Sequence, residues 1–117
     1  MLEHNLQITI RELEKCIILD LKGDLNIQAV EKLLQLRDWE KGLLPGKNHL
    51  ILNFTEVQYM NSYGIAILIR LARACAKGGC PITAYGLTYH YAKLLRMVGL
   101  TNLLRICADQ EEALRTN

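Results

Sequence analysis

The sequence predicts an α/β fold in which a mixed, mostly parallel β-sheet of about five strands is covered by about four helices, in the order ββαβαβαβα. Near the N-terminus apolar and polar residues alternate, which is the period of a half-exposed strand. A later, nearly continuous apolar run indicates a central strand buried on both faces. Strand-like and helical stretches then alternate to the end of the chain, as in strand–helix–strand units.

The first two strands are predicted to form an antiparallel hairpin. Leu6, Ile8 and Ile10 alternate with polar residues, and a second run, Cys16 to Lys22, follows a short polar connection. A helix follows, because apolar residues then recur at helical spacing until Leu44-Pro45-Gly46 breaks the pattern. This helix has one apolar stripe and a second stripe beside it: Ile27, Val30, Leu33 and Leu34, and then Leu36, Trp39 and Leu43.

The predicted central strand, His49 to Phe54, leads through a short turn into a helix from Ser62 to Lys77. Gly78-Gly79 ends this helix. The predicted buried face consists of six residues: Ile65, Leu68, Ile69, Ala72, Cys75 and Ala76. The opposite side carries a basic stripe, which is either a solvated face or a docking surface for an acidic partner: Arg70, Arg73 and Lys77.

The rest of the chain continues the alternation. We expect a short strand from Pro81 to Tyr85, a helix ending at Gly99, a strand from Leu103 to Cys107 and a last helix from Asp109 to Leu114. The apolar positions of the helix before Gly99 are Tyr91, Leu94, Leu95 and Val98. A chain of 117 residues suits one core, so residues 1–117 are predicted to be a single domain.

Composition excludes several classes of protein. Fourteen basic residues are nearly balanced by twelve acidic ones, which disfavours a general nucleic-acid binder. No apolar run is long enough to cross a bilayer, and the N-terminus lacks the apolar core of a secretory signal. Four cysteines without CxxC spacing and three scattered histidines predict reduced thiols, no metal site and a cytoplasmic protein.

The segment most informative about function is the turn from Asn53 to Gly64. It joins the central strand to the start of a helix, where unpaired backbone amides and the helix dipole favour an anion such as a phosphate. The simpler interpretation is that Ser62 or Asn61 only caps the helix. The sequence contains no G-x-S-x-G, phosphate-loop or H-E-x-x-H motif, so an enzyme is not expected.

The chain resembles the STAS-domain anti-sigma factor antagonists of bacteria over nearly its whole length. The first matching stretch, Leu21-Lys22-Gly23-Asp24-Leu25, is similar to the family's turn after strand two. The second, Leu52-Asn53-Phe54 followed by Met60-Asn61-Ser62-Tyr63-Gly64, is similar to the strand and D-S-x-G loop that carry its phosphorylatable serine. The other two are similar to the end of the third helix and to the final helix: Leu94 to Leu100 and Asp109 to Leu114.

The resemblance implies a STAS fold and a partner switch. Such proteins bind an anti-sigma factor that is also a serine protein kinase, and the kinase phosphorylates the loop serine with ATP to weaken the complex. By motif position the phosphoacceptor is Ser62. The implied protein is a monomer or weak homo-oligomer that needs no cofactor and contacts neither nucleic acid nor membrane directly. Its implied partner-binding residues are Asp24, Asn26, Asn61, Ser62, Tyr63 and Gly64.

Three positions depart from the family pattern. Asn61 stands where the family usually has Asp, and Asn26 where it often has a second acid; each keeps a capping oxygen and lacks the charge. Tyr63 replaces a small residue and is either part of an interface or a displaced surface ring. The alternative functions are a non-switching scaffold subunit, in a stressosome-like assembly or a lipid-transport ABC complex, and a nucleotide-binding domain.

Overall fold

A computed structural model describes residues 5–36, 38, 41 and 45–115 of the chain. These residues form five strands and four helices in the predicted order ββαβαβαβα. In chain order they are β1 (Gln7–Glu12), β2 (Cys16–Lys22), α1 (Ile27–Gln35), β3 (His49–Glu56), α2 (Ser62–Lys77), β4 (Ile82–Tyr85), α3 (Tyr89–Met97), β5 (Leu104–Cys107) and α4 (Gln110–Leu114). A 3₁₀ turn at Leu100–Asn102 lies between α3 and β5 and was not predicted.

The strands form one mixed sheet in the order β1-β2-β3-β4-β5. β1 pairs with β2 antiparallel, which confirms the predicted hairpin, and every later pairing is parallel. β3 therefore lies in the middle. Leu50, Ile51 and Leu52 are all fully buried, so side chains on both faces of β3 are covered, as the apolar run predicted.

The helices divide unevenly between the two faces of the sheet. Alternate residues of β2 and β3, such as Leu19 and Leu52, belong to the larger core, which also contains Leu33 of α1, Leu68 of α2 and Leu95 of α3. Side chains on the opposite face of the sheet form a smaller cluster with Ala113 of α4: Cys16, Ile18, Ile51, Tyr85 and Cys107. Three helices thus cover one face, and the short α4 covers part of the other.

The structure corrects some predicted details. In α2 the buried face is Gly64, Ile67, Leu68, Leu71, Ala72 and Cys75, whereas the predicted Ala76 is exposed and Ile65 and Ile69 are only partly buried. The helix was predicted correctly, but the predicted buried face is rotated by about one residue from the observed one. The sheet on which the helix packs decides which face is buried.

Other corrections concern element ends. Val98 is exposed and caps the C-terminal end of α3 instead of packing in the core. Pro81 lies just before β4 and accepts a hydrogen bond from the Leu50 N–H. α1 ends at Gln35; Trp39 and Leu43, the rest of its predicted second stripe, lie outside the described residues.

Candidate functional site

Two loops at the carboxyl ends of neighbouring parallel strands form the candidate site. We call them the paired loops: residues 23–26, between β2 and α1, and residues 57–61, between β3 and α2. Three backbone hydrogen bonds join them and the end of β3, from Gly23 N to Glu56 O (3.1 Å), from Leu25 N to Tyr59 O (3.0 Å) and from Asn61 N to Leu25 O (3.2 Å). The sheet ladder thus continues beyond β2 and β3, and it ends in a bridge between Leu25 and Met60.

The two asparagines that depart from the family pattern both cap helices here. Asn61 Oδ1 accepts hydrogen bonds from the backbone N–H groups of Tyr63 (3.0 Å) and Gly64 (3.1 Å) at the start of α2. Asn26 Oδ1 does the same at α1, with Gln28 N at 3.1 Å and Ala29 N at 3.3 Å. Each amide oxygen supplies the capping acceptor that a carboxylate would supply, without its charge.

Ser62 is not the cap of α2. It is the first residue of the helix and is exposed, while the Asn61 side chain satisfies the first amides. Of the two capping candidates in the sequence, the structure selects Asn61. The Ser62 side chain is left at the surface, beside the positive end of the α2 dipole.

Position 64 must be glycine because the Leu25 backbone of the paired loops lies against it. A Cβ atom built on Gly64 would lie 2.2 Å from the carbonyl oxygen of Leu25 and 2.9 Å from its carbonyl carbon. Since real Cβ atoms do not approach backbone atoms so closely, no side chain fits while the loops stay joined. Gly64 therefore positions the site from a buried location and is not itself available for contact with a partner.

Tyr91 of α3 holds the loop 57–61 through a hydrogen bond that the sequence did not predict. Its hydroxyl oxygen accepts a hydrogen bond of 3.0 Å from the backbone N–H of Met60. Helical spacing predicted that Tyr91 faces inward, which its partial burial agrees with, while Tyr89 and His90 beside it are exposed. No pattern in the sequence indicates that its hydroxyl bonds to a loop thirty-one residues away.

The surface around Ser62 is apolar as well as polar. Three large hydrophobic side chains on or next to the paired loops are about half exposed, and we call them the exposed apolar patch: Ile27, Tyr59 and Tyr63. Tyr63 has 54% of its area exposed, so its ring is available for contact with a partner. Of the other predicted partner-binding residues, Asp24, Asn26 and Asn61 are partly exposed. Aromatic side chains exposed next to polar loops are typical of protein-binding surfaces.

Charges of both signs lie around the candidate site. Asp24 belongs to the paired loops, whereas neither α1 nor α2 has an acidic residue in its first turn. Arg70, Arg73 and Lys77 are exposed along α2, which confirms the predicted position of the basic stripe. Among the described residues, no cluster of three His, Cys, Asp or Glu side chains could hold a metal ion, and no helix is long and apolar enough to cross a membrane.

Comparison with known proteins gives the family. The family model described as "Mlab, STAS domain" matches residues 8–105, which is most of the chain. The chain belongs to the STAS domain family. No curated protein is similar enough in sequence to match.

Solved structures agree with this STAS fold. An anti-sigma factor antagonist from Mycobacterium paratuberculosis superposes with a TM-score of 0.76 at 13% identity, over 94% of this chain and 92% of that one. The Bacillus cell fate determinant SpoIIAA in its phosphorylated form gives 0.69 at 20% identity, over 94% and 96%. A sulfate transporter family protein from Wolinella succinogenes gives 0.62 at 15% identity, over 75% and 74%. The same fold thus occurs in antagonists and in a transporter family protein.

Proposed function

We propose that this STAS domain is an anti-sigma factor antagonist. It binds an anti-sigma factor that is also a serine protein kinase, through the paired loops, the exposed apolar patch and the start of α2. Phosphorylation of Ser62 ends the complex. In this role the chain is a binding partner and a kinase substrate, it catalyses no reaction, it needs no cofactor, and it acts in the cytoplasm as a monomer or weak homo-oligomer.

The observation that carries this proposal is that Asn61 caps α2, which leaves the neighbouring Ser62 hydroxyl exposed and not needed for the cap. Asn61 caps α2 with hydrogen bonds of 3.0 and 3.1 Å, so the fold does not need the Ser62 hydroxyl for that purpose. Ser62 is exposed at the first residue of the helix. A kinase can reach a hydroxyl in this position without unfolding the loop.

A phosphate on Ser62 would affect the free chain and the complex differently. In the free chain it would sit at the N-terminal end of α2, where the helix dipole favours an anion. The phosphorylated form of SpoIIAA has the same fold, so phosphorylation of that protein is compatible with this fold. In a complex the exposed apolar patch is covered by the partner. The phosphate would bring a charge of about −1.5 to −2 next to it, and the cost of desolvating that charge would oppose binding.

The asparagine at position 61 affects the expected rate at which Ser62 is phosphorylated. The matching residue in the family is usually Asp, and here the amide keeps the cap but not the charge. If that charge helps a kinase to orient the serine, phosphorylation of Ser62 is slow and Asn61→Asp accelerates it. Because the geometry of the cap is retained, Asn61→Asp leaves the fold unchanged, which circular dichroism would check.

The direct test is to incubate the purified protein with its cognate kinase and ATP and to map the phosphate by mass spectrometry. The proposal predicts phosphate on Ser62 in the wild type and none in Ser62→Ala. Phosphate on another residue, or neither phosphate nor a complex, would overturn it. Asn61→Asp in the same assay separates a slow substrate from a protein that is not a substrate.

A second candidate function is a permanent subunit of a lipid-transport ABC complex. The occurrence of the same fold in a sulfate transporter family protein is compatible with a transporter role, and the missing charge at Asn61 suits an interface that does not switch. Co-purification with an ATPase subunit, with no phosphate on Ser62, would select this function. A large homo-assembly by size-exclusion chromatography with light scattering would instead indicate a stressosome-like scaffold.

A further inference from the structure

The C-terminal end of α2 places two cysteines against each other. Cys75 lies in the last turn of the helix, and Cys80 lies just before β4. The helix ends in a Schellman motif, in which Cys80 N donates to Cys75 O (2.9 Å) and Gly79 N donates to Ala76 O (3.1 Å). Gly79 has the left-handed conformation, φ 71°, that this motif requires.

The Schellman motif brings together the side chains of the two residues that its outer hydrogen bond joins. Here both side chains are thiols. They belong to the same core cluster, with Cys75 fully buried and Cys80 6% exposed. The Cys80 thiol donates to the carbonyl oxygen of Pro81 at 3.4 Å, and the backbone hydrogen bond from Cys80 to Cys75 places the two side chains next to each other in the core.

The environment distinguishes the two thiols. Interaction between the two thiols lowers the pKa of Cys80, against the opposing effect of burial, and raises the pKa of Cys75. Cys80 is flanked by exposed Gly79 and Pro81, whereas Cys75 lies on the buried face of α2. Cys80 is therefore the thiol that a small oxidant reaches first, and its lowered pKa favours its reaction over that of Cys75.

We propose that Cys75 and Cys80 form a reversible redox site that closes to a disulfide between the end of α2 and the start of β4. With hydrogen peroxide as oxidant, the Cys80 thiol loses its proton and its sulfur attacks one peroxide oxygen, so an S–O bond forms and the O–O bond breaks. The sulfur becomes a sulfenic acid, and the departing hydroxide takes up the thiol proton and leaves as water. The Cys75 sulfur then attacks the Cys80 sulfur, the S–S bond forms, the S–O bond breaks, and the hydroxyl group leaves with the Cys75 proton as a second water. Two thiols and one hydrogen peroxide thus give one disulfide and two waters. This inference does not depend on the proposed function.

The sequence allows a sharp test, because trypsin places the four cysteines on four different peptides. Cleavage after Lys77 separates Cys75, in residues 74–77, from Cys80, in residues 78–93. Cys16 falls in residues 16–22 and Cys107 in residues 106–115. The folded protein is treated with hydrogen peroxide, its remaining thiols are alkylated after denaturation, and the digest is analysed by mass spectrometry without reduction.

We expect peptide 74–77 to be disulfide-linked to peptide 78–93, with two alkylated thiols lost per oxidised chain and recovered after dithiothreitol. Cys16 and Cys107 belong to the smaller cluster on the other face and serve as internal controls that stay alkylated. No linked peptide, or oxidation of the control cysteines at the same rate, would overturn the proposal.

Two variants separate the roles of the thiols. Cys75→Ala removes the resolving thiol, so oxidation should stop at a sulfenic acid on Cys80 that dimedone traps. Cys16→Ala is the matched control and should form the 74–77 to 78–93 link as the wild type does. If Cys75→Ala fails to fold, the wild-type peptide pattern alone still decides.

Discussion

Gly64 shows how one residue holds the candidate site together. A helix-interior glycine normally costs about 1 kcal/mol relative to alanine, so Gly64→Ala would be expected to stabilise an ordinary helix. Here the added Cβ would lie 2.2 Å from Leu25 O, and the paired loops would have to separate. We therefore predict that Gly64→Ala lowers the free energy of unfolding by about 2 kcal/mol, the cost of overpacking a rigid contact.

Urea denaturation measures this effect, and Ala66→Gly provides the control. Ala66 is an exposed residue of the same helix, so its replacement should cost about 1 kcal/mol through helix propensity alone. If Gly64→Ala is as stable as the wild type or more stable, the close approach of the two loops is not a constraint in solution.

Asn61 carries a second prediction at the residue scale. Asn61→Ala removes the acceptor of two hydrogen bonds at the start of α2 and should lower the free energy of unfolding by about 1 kcal/mol. Asn61→Asp keeps the acceptor and adds a negative charge at the positive end of the helix dipole, so it should be at least as stable as the wild type.

The two substitutions at Asn61 can be compared by thermal denaturation at neutral pH, with Asn26→Ala as the equivalent change at α1. Similar losses for Asn61→Ala and Asn26→Ala are expected, because both side chains make the same pair of capping bonds. An Asn61→Ala protein as stable as the wild type would contradict the assignment of the cap.

At the scale of elements, a polar network joins the strands on the face that α4 covers. Arg11 of β1 forms a bidentate pair with Asp20 of β2, at 2.6 and 2.9 Å, and Asn53 of β3 donates to the same carboxylate at 2.7 Å. Arg11 also donates to Gln110 of α4 at 2.8 Å. The network thus ties the edge strand and the last helix to the centre of the sheet.

This network predicts a pH dependence of stability. Burial alone would raise the pKa of Asp20, but the hydrogen bonds from Arg11 and Asn53 and the charge of Arg11 outweigh burial and lower it below 3.8. The ionised carboxylate therefore stabilises the fold fully above pH 3.8, and this contribution is lost as the pH falls through the lower pKa of the folded state.

Asp20→Asn should consequently destabilise the protein by about 1 kcal/mol at pH 7, a modest value because the pair is partly solvated. The difference from the wild type should shrink as the pH falls below 3.8. Glu56→Gln is the control, since the Lys22–Glu56 pair is exposed and 3.8 Å apart, and it should have almost no effect. A pH-independent difference for Asp20→Asn would contradict this account of the network.

The elements also show which features sequence patterns can predict. The bounds of α2 were predicted correctly, because a capping asparagine and a Gly-Gly stop are local signals. The buried stripe of the same helix was set about one residue away, since Ile67 and Leu71 face inward only because of the sheet beneath them. Local chemistry determines where a helix begins and ends, and packing determines which side is buried.

At the scale of the whole molecule, the candidate site depends on contacts between distant parts of the chain. Ser62 and Asn61 were identified from the order of motifs in the sequence. The pairing of Leu25 with Tyr59 and Met60, and the support from Tyr91, join segments about thirty residues apart. No local pattern encodes such contacts, so the exposed apolar patch could not be predicted as one surface.

The proposed function predicts that a negative charge at Ser62 prevents binding to the anti-sigma factor. The most direct measurement is the affinity of Ser62→Asp and Ser62→Ala for that partner by isothermal titration calorimetry. Thr101→Asp is the matched control, because Thr101 is exposed in the 3₁₀ turn after α3, outside the paired loops and the exposed apolar patch. We predict that Ser62→Ala and Thr101→Asp bind like the wild type and that Ser62→Asp binds at least tenfold more weakly, about 1.4 kcal/mol. Equal affinities for Ser62→Asp and Ser62→Ala would contradict the account.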